Sequence, residues 1–422
     1  MTFELRAVEE LASLHGEPDW LRERRREAHG LFERLPLPSR TDEEWRRTDL
    51  RGLDLNAFEP FEPADGTPPG DTIDEVAGVL RQRGSEPGKV ELDPEVSARG
   101  VIFMPLSQAA REHPDLVRTH LFSEVRADRD KFSALHAAFF SGGTFLYVPD
   151  GVRIERPLVS QFWSSRGGAA VLPHTLIVAG RGSIFNYVDE FLSPDLEAAA
   201  YCSGSAEILA GEGSDVGYIA LQRWGHHAWQ LADQQVRIER EASVRLINVG
   251  LGGRFAKNRV EASLRGPGAR AELKALYFGS GDQFFDYHTL QRHVVGDTSS
   301  DLLFKGALDD RSRATYAGLI RIEPKARRSD AYQANRNLIL SKEAKGFSIP
   351  ELEILNNDVR CTHGATVAPV DPEHIFYLES RGIPAGVAER MIVHGFFGEV
   401  IDRIPVAQAR ELVEAELEAR IV

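Results

Sequence analysis

The sequence predicts a mainly β protein: a right-handed parallel β-helix, or solenoid, flanked by α-helical regions at both ends. Three observations carry this. Small-residue turns followed by strand-like runs recur, with Gly182-Ser183 before IFNYV, Gly213-Ser214 before DVGYI, Ala242-Ser243 before VRLINV and Gly268-Ala269 before RAELKALYF, so the turns stand 31, 29 and 26 residues apart. From Gly143 onward, short runs rich in Val, Ile, Tyr and Phe are broken every few residues by Gly, Pro, Asp or Asn, which is strand grammar. Before and after this stretch the apolar spacing is helical. A repeat of this length marks a solenoid whose coils bury their inner faces against one another. A propeller blade needs four strands in roughly 40 to 50 residues, more than the repeat offers, and a stacked sandwich is the other alternative.

Residues 1–70 form an N-terminal region in which Leu11, Leu14, Leu31 and Leu35 recur among charged residues, ending in the Pro/Gly-rich linker FEPFEPADGTPPGD at 58–71. Residues 71–142 are expected to hold helical segments leading into the core, at 72–83 and 128–140, the second stopped by Gly142 and Gly143. The β-helix core occupies residues 143–370. A C-terminal helical module follows at 371–422: Asp371-Pro372-Glu373 reads as a cap, a first-turn proline and a first-turn acid. Its first helix runs to Ser380 and closes at Gly382, its second opens at Pro384 and carries Val387, Met391 and Ile392, and its third covers 406–421 with Leu412, Val413 and Leu417 at helical spacing. The apolar faces of these helices are either core or docking surface; Met391, Phe396 and Phe397 are the candidate docking residues, and removing residues from Asp371 onward is expected to abolish partner binding while the β-helix still folds.

The 422 residues, 42% apolar and 27% charged, suffice for two or three cores. A formal net charge of −14 argues against nucleic acid, whose affinity rests on Lys and Arg neutralising phosphates. An acidic start and no apolar run of membrane length point to a cytoplasmic chain with no membrane contact. Two cysteines, Cys202 and Cys361, cannot make a disulfide framework. Nor can they complete an iron-sulfur cluster, which needs about four ligands, mostly thiolates, so any cluster here would draw on another subunit or on small molecules.

The usual enzymatic signatures are absent: no GxxxxGK[ST] phosphate loop, no HExxH and no GxSxG occurs. GLGGRFAKN at 250–258 lacks dinucleotide spacing and reads as a solenoid corner. His226 and His227 are read as strand neighbours pointing to opposite faces, hence surface or packing residues, and Cys202 as a small buried residue. The segment DVRCTHGAT at 358–366 is different, because Cys361 and His363 stand two apart and share one face of an extended strand. They could reach one metal ion together. The alternative is a strand end with an inert thiol and a hydrogen-bonded imidazole, and spacing alone leaves both open.

NNDVRCTHGATV at 356–367 and IFYLESRGI at 375–383 resemble the hallmark of the SufB/SufD family. GTFLYVPDGVRIERPL (143–158), SSDLLFKGALDDRSRATYAGLI (299–320) and AYQANRNLILS (331–341) resemble the family's entry into its β-helix, its later coils and the stretch before the hallmark. The SufD branch matches better: the SufB type typically has Glu where this chain has Gly364 and carries further cysteines, and EEWRRTDLRGL at 43–53 also looks like SufD. The resemblance implies a non-catalytic scaffold subunit of an iron-sulfur cluster assembly complex. It would pair with a SufB-like paralogue through the β-helix and bind a SufC-like ATPase through the C-terminal helices. Iron or a cluster would be held transiently, shared with the partner, and nothing would be bound tightly by the chain alone; isolated copies could homodimerise. His363 matches the family histidine facing a partner cysteine, with Cys361 a weaker second candidate ligand. Two other readings compete. One is a β-helix carbohydrate-active enzyme, which would want clustered carboxylates on successive coils; the other is a structural adaptor without metal contact.

Overall fold

The computed structural model describes residues 2–63, 66 and 73–421. Residues 64, 65 and 67–71 of the expected linker, and the first residue of the helix expected at 72–83, lie outside the described residues.

The chain alternates between two sheets. In the first, parallel strands start at residues 158, 184, 215, 243, 270, 299, 329 and 359, so from 184 onward successive starts are 31, 28, 27, 29, 30 and 30 residues apart. The second sheet takes the intervening strands, starting at 143, 174, 205, 228, 255, 284, 313 and 345. The result is a parallel β-solenoid of about eight turns, and its period matches the turn recurrence in the sequence. Gly182 and Gly213 provide left-handed turn residues at φ +65° and +68°, whereas the third turn puts a non-glycine, Glu241, there at φ +55°. Glycine is favoured at such positions because any other residue strains its Cβ.

Because strand register repeats from coil to coil, side chains stack in columns. Tyr187, Tyr218, Leu246, Leu273, Leu302 and Gln333 occupy successive register positions, all buried in the interior between the sheets. Each large apolar side chain so buried contributes about 1.5–3 kcal/mol.

Nine α-helices are found among the described residues: α1 (Leu5–Leu14), α2 (Asp19–Arg34), α3 (Pro94–Ala98), α4 (Leu106–Glu112), α5 (Pro114–His120), α6 (Lys131–Phe139), α7 (Pro372–Glu379), α8 (Ala385–Ile401) and α9 (Ala407–Arg420). Asp130 caps α6 by accepting from the Ser133 N–H at 2.8 Å, and Gly142 and Gly143 turn the chain with φ +89° and +112°. The outer face of the second sheet lies under the N-terminal region, where Phe3, Phe32, Trp45, Phe58 and Phe132 pack with Leu231 and Phe255. Arg25, fully buried, ties α2 to the end of α6: it pairs with Glu17 at 2.6 Å and donates to the carbonyls of Ala138 and Phe140 at 2.9 and 2.8 Å. A guanidinium can be buried only with its donors satisfied in this way.

Two expectations are corrected. Instead of a helix at 72–83, Gly78–Arg83 is a strand, paired in parallel with Leu158–Trp163 and antiparallel with Lys89–Leu92. The open edge of the first coil offers this segment a full hydrogen-bond ladder and burial for Val79 and Leu80, which outweighs its weak helical preference. Ile102–Pro105 likewise adds antiparallel to Gly143–Val148, so the region at 71–142 is mixed rather than helical. The second correction concerns the C-terminal helices. Val393, Phe397, Val400 and Ile401 of α8 and Val413 and Leu417 of α9 share one core with Ile219, Ile247, Val249 and Leu276 of the first sheet. Deleting residues from 371 onward would strip an apolar sheet face, so the β-helix cannot be expected to fold unperturbed without them.

Candidate site at the open end of the solenoid

The two ends of the solenoid are built differently. At the start, antiparallel strands and helices cover the first coil. At the other end, Val359–Pro369 and Lys345–Ile354 are edge strands of their sheets, and no described strand continues either one. Solenoid ends ordinarily need a polar cap. Here interior columns run out into solvent: Ile320 and Ile322 are fully buried, but the next residues in register, Leu352 and Ile354, are 38% and 40% exposed, and Val367, next after buried Asn337, is 42% exposed.

Cys361 and His363 belong to this row. His363 is the register partner of Gln333, the last buried member of the Tyr187 column, and Cys361 that of buried Ala331. Both therefore lie on the strand face that the coils before it turn inward, as the two-residue spacing requires. The imidazole is exposed and the thiol half-buried beside Ile320, Ile322 and Ala331. Burial, helped by the nearby Asp330 carboxylate, pushes the Cys361 thiol above its ordinary pKa. A protonated thiol is a poor ligand and nucleophile, so Cys361 binds metal only if an ion or a neighbouring positive charge draws its proton away. Among the described residues no group of three or more His, Cys, Asp or Glu side chains is placed to hold a metal ion.

The other sequence candidates lie elsewhere. His226 and His227 are not strand neighbours; they sit in the turn ahead of Ala228–Ile238, because Gly225 carries the chain around a corner too tight for a Cβ. His227 is buried, its Nδ1 accepting from the Leu196 N–H at 3.2 Å, and burial lowers its pKa; His226 is exposed. Cys202 is fully buried with its thiol pushed well up by burial, hence inert. The 250–258 glycines form a corner, where a Cβ on Gly252 would meet the Trp224 carbonyl at 1.8 Å.

Of the docking candidates, Met391 is 49% exposed and Phe396 half-buried, with the Lys305 ammonium 5.0 Å from its ring. Phe397 is fully buried against the first sheet, so the expectation that it is open to a partner is corrected. Residue 397 falls on the face of α8 that the sheet covers. Phe376 and Tyr377 of α7, not singled out from the sequence, are 70% and 55% exposed, and α7 buries none of its residues. An IFY run on an eight-residue helix was the signal available for them.

The family model described as SUF system FeS cluster assembly, SufBD core domain, matches residues 162–396, and that of the SufBD protein N-terminal region matches residues 89–159. The chain belongs to the SufB/SufD family. It is similar to the iron-sulfur cluster assembly protein SufD of Bacillus subtilis strain 168, 30% identical over 424 residues that cover 96% of this chain and 95% of the relative. An iron-sulfur cluster assembly SufBD family protein of Staphylococcus epidermidis is 28% identical, and one of Staphylococcus aureus strain USA300 is 26% identical, each match covering 98% of this chain and 93% of the relative. This is a SufD-like protein of the SUF iron-sulfur cluster assembly system, a scaffold-type family. That membership displaces the carbohydrate-active reading. Among the described residues no helix is long and apolar enough to cross a membrane.

Proposed function

We propose that this SufD-like chain is a non-catalytic scaffold subunit of a cytoplasmic SUF complex, pairing with a SufB-like paralogue at the open solenoid end and binding a SufC-like ATPase through its C-terminal helices. One observation carries the reading: Cys361 and His363 emerge where both sheets end in edge strands that no further strand pairs among the described residues. An unpaired edge can take up another strand through backbone hydrogen bonds, and the exposed Leu352, Ile354 and Val367 beside it gain by being covered. His363 then supplies an imidazole nitrogen, a ligand suited to iron, to an iron or iron-sulfur site whose other ligands come from the partner. Two donors fill only part of the roughly four positions a cluster needs, so the cargo is transient and shared. Cys361 is the weaker ligand because its thiol is held protonated. Without the paralogue, the same edges could join two copies of the chain. For the ATPase, Phe376, Tyr377 and Met391 offer exposed apolar surface.

The test is His363→Ala in the reconstituted complex. The expected result is unchanged subunit stoichiometry on gel filtration with a fall in bound iron and acid-labile sulfide. Unchanged cluster content would rule the ligand role out.

A further inference from the structure

A cleft of about 540 Å³ opens on the outer face of the second sheet, away from the interior row that carries Cys361 and His363. Its floor is a register column: Trp229, Phe255 and Phe284 stand on successive strands, and Arg313 and then Lys345 continue the column. The Trp229 and Phe255 rings stack with centroids 5.0 Å apart, and the Arg313 guanidinium lies 5.4 Å from the Phe284 centroid. One wall is the N-terminal segment at residues 49–52. It can lie this close because residue 52 is glycine, where a Cβ would stand 3.0 Å from the Trp229 ring.

Four guanidinium groups, of Arg51, Arg254, Arg311 and Arg313, line this cleft against two carboxylates, of Asp49 and Asp282. Asp49 is engaged by Arg51 at 2.7 Å, and Asp282 stands 3.7 Å from Arg254. Among the described residues, neither Arg311 nor Arg313 is within ion-pair distance of any carboxylate. In a chain of net charge −14, with 64 acidic residues available, a concave site with more guanidinium groups than carboxylates, where Arg313 acts on Asp49 only from beyond ion-pair distance, is a departure from the whole molecule's sign. Guanidinium forks match oxyanions in geometry and charge, and an apolar floor strengthens the attraction by excluding water from one side. The volume lies within the roughly 300–1,000 Å³ of small-ligand sites and is bounded on two sides, so it suits a compact anion better than a folded partner.

We propose that this cleft binds a small phosphorylated ligand, with Arg311 and Arg313 gripping a diphosphate group and Arg51 tying the N-terminal segment to it. The phosphates could be free pyrophosphate or part of a nucleotide, whose base would lie on the aromatic floor. The inference is independent of the scaffold reading and of the site at residue 363.

Calorimetric titration of the full chain with pyrophosphate, and separately with ADP, tests it. Saturable binding with Kd of about 1 mM or tighter is expected, weakening as NaCl is raised. Arg311→Ala/Arg313→Ala should weaken it by about tenfold or more, while Arg181→Ala, at an exposed arginine outside the cleft, should leave it unchanged. Tighter binding of ADP than of pyrophosphate would assign the site to a nucleotide, and equal or weaker binding to the bare diphosphate; both support the proposal. Should the double variant melt early, Arg311→Glu alone, a surface change, gives the same reading. Absence of saturable binding, or binding indifferent to these substitutions, overturns it.

Discussion

Asp189 offers a quantitative test of the solenoid interior. Its carboxylate is fully buried between the sheets and accepts from the Tyr218 hydroxyl at 2.7 Å, the Tyr187 hydroxyl at 2.9 Å and Thr175 Oγ1 at 3.1 Å. Burial raises its pKa from 3.8 to about 6, against the pull of those three hydrogen bonds. The folded state therefore binds this proton more tightly than the unfolded chain does. Stability from this group is fully present below about pH 4, declines as the pH rises toward 6, and stays lower above that. A difference of about 2 pKa units corresponds to about 3 kcal/mol. Asp189→Asn keeps the shape and removes the titration: its carbonyl can accept from Tyr187 and Thr175, and its amide can donate to Tyr218. The stability of the variant relative to the parent should thus rise by about 2.5 kcal/mol between pH 4 and pH 7.5, most of the full difference. Urea unfolding followed by tryptophan fluorescence at both pH values measures the difference. A relative stability independent of pH would refute the reasoning, since it would mean that the carboxyl titrates alike in both states.

Two other outcomes follow from the packing. Gly143→Ala should cost about 3 kcal/mol or more, because the added Cβ would lie 2.1 Å from the His174 carbonyl oxygen at φ +112°; Gly151→Ala, at φ +70° with open space around it, should cost only about 1 kcal/mol, and equal urea midpoints would contradict the difference. Phe397→Ala should cost about 3–5 kcal/mol, whereas Phe376→Ala, at an exposed position, should change stability by less than about 0.5 kcal/mol and instead weaken retention of the SufC-like ATPase in a pull-down; the reverse pattern would mean that these two rings have been assigned to the wrong sides of the helical layer.

The solenoid was legible in the amino-acid sequence because each coil must turn at nearly the same place. That requirement leaves Gly or another left-handed residue at intervals near 30, with apolar alternation between. The capped start of α7 and the glycine stop after α6 were legible for a similar reason, since helix ends are set by local hydrogen bonds. The pairing of Cys361 with His363 on one strand face was likewise a matter of local geometry, and the family resemblance around them supplied a chemistry that spacing left open.

What local rules did not settle was decided by neighbours distant in the chain. Gly78–Arg83 became a strand because the first coil presented an unpaired edge to it, each residue pairing with one 80 positions further along. Phe397 is core and Phe376 is surface although both lie on short apolar runs, because only α8 and α9 rest on the first sheet. The same holds for the row of Cys361 and His363. Its periodicity is that of every interior column before it, and it meets solvent because no coil among the described residues stacks on Val359–Pro369. Whether an inward-pointing residue is buried depends on the presence of the next coil, and that is a property of the assembled solenoid, not of the residue's own segment.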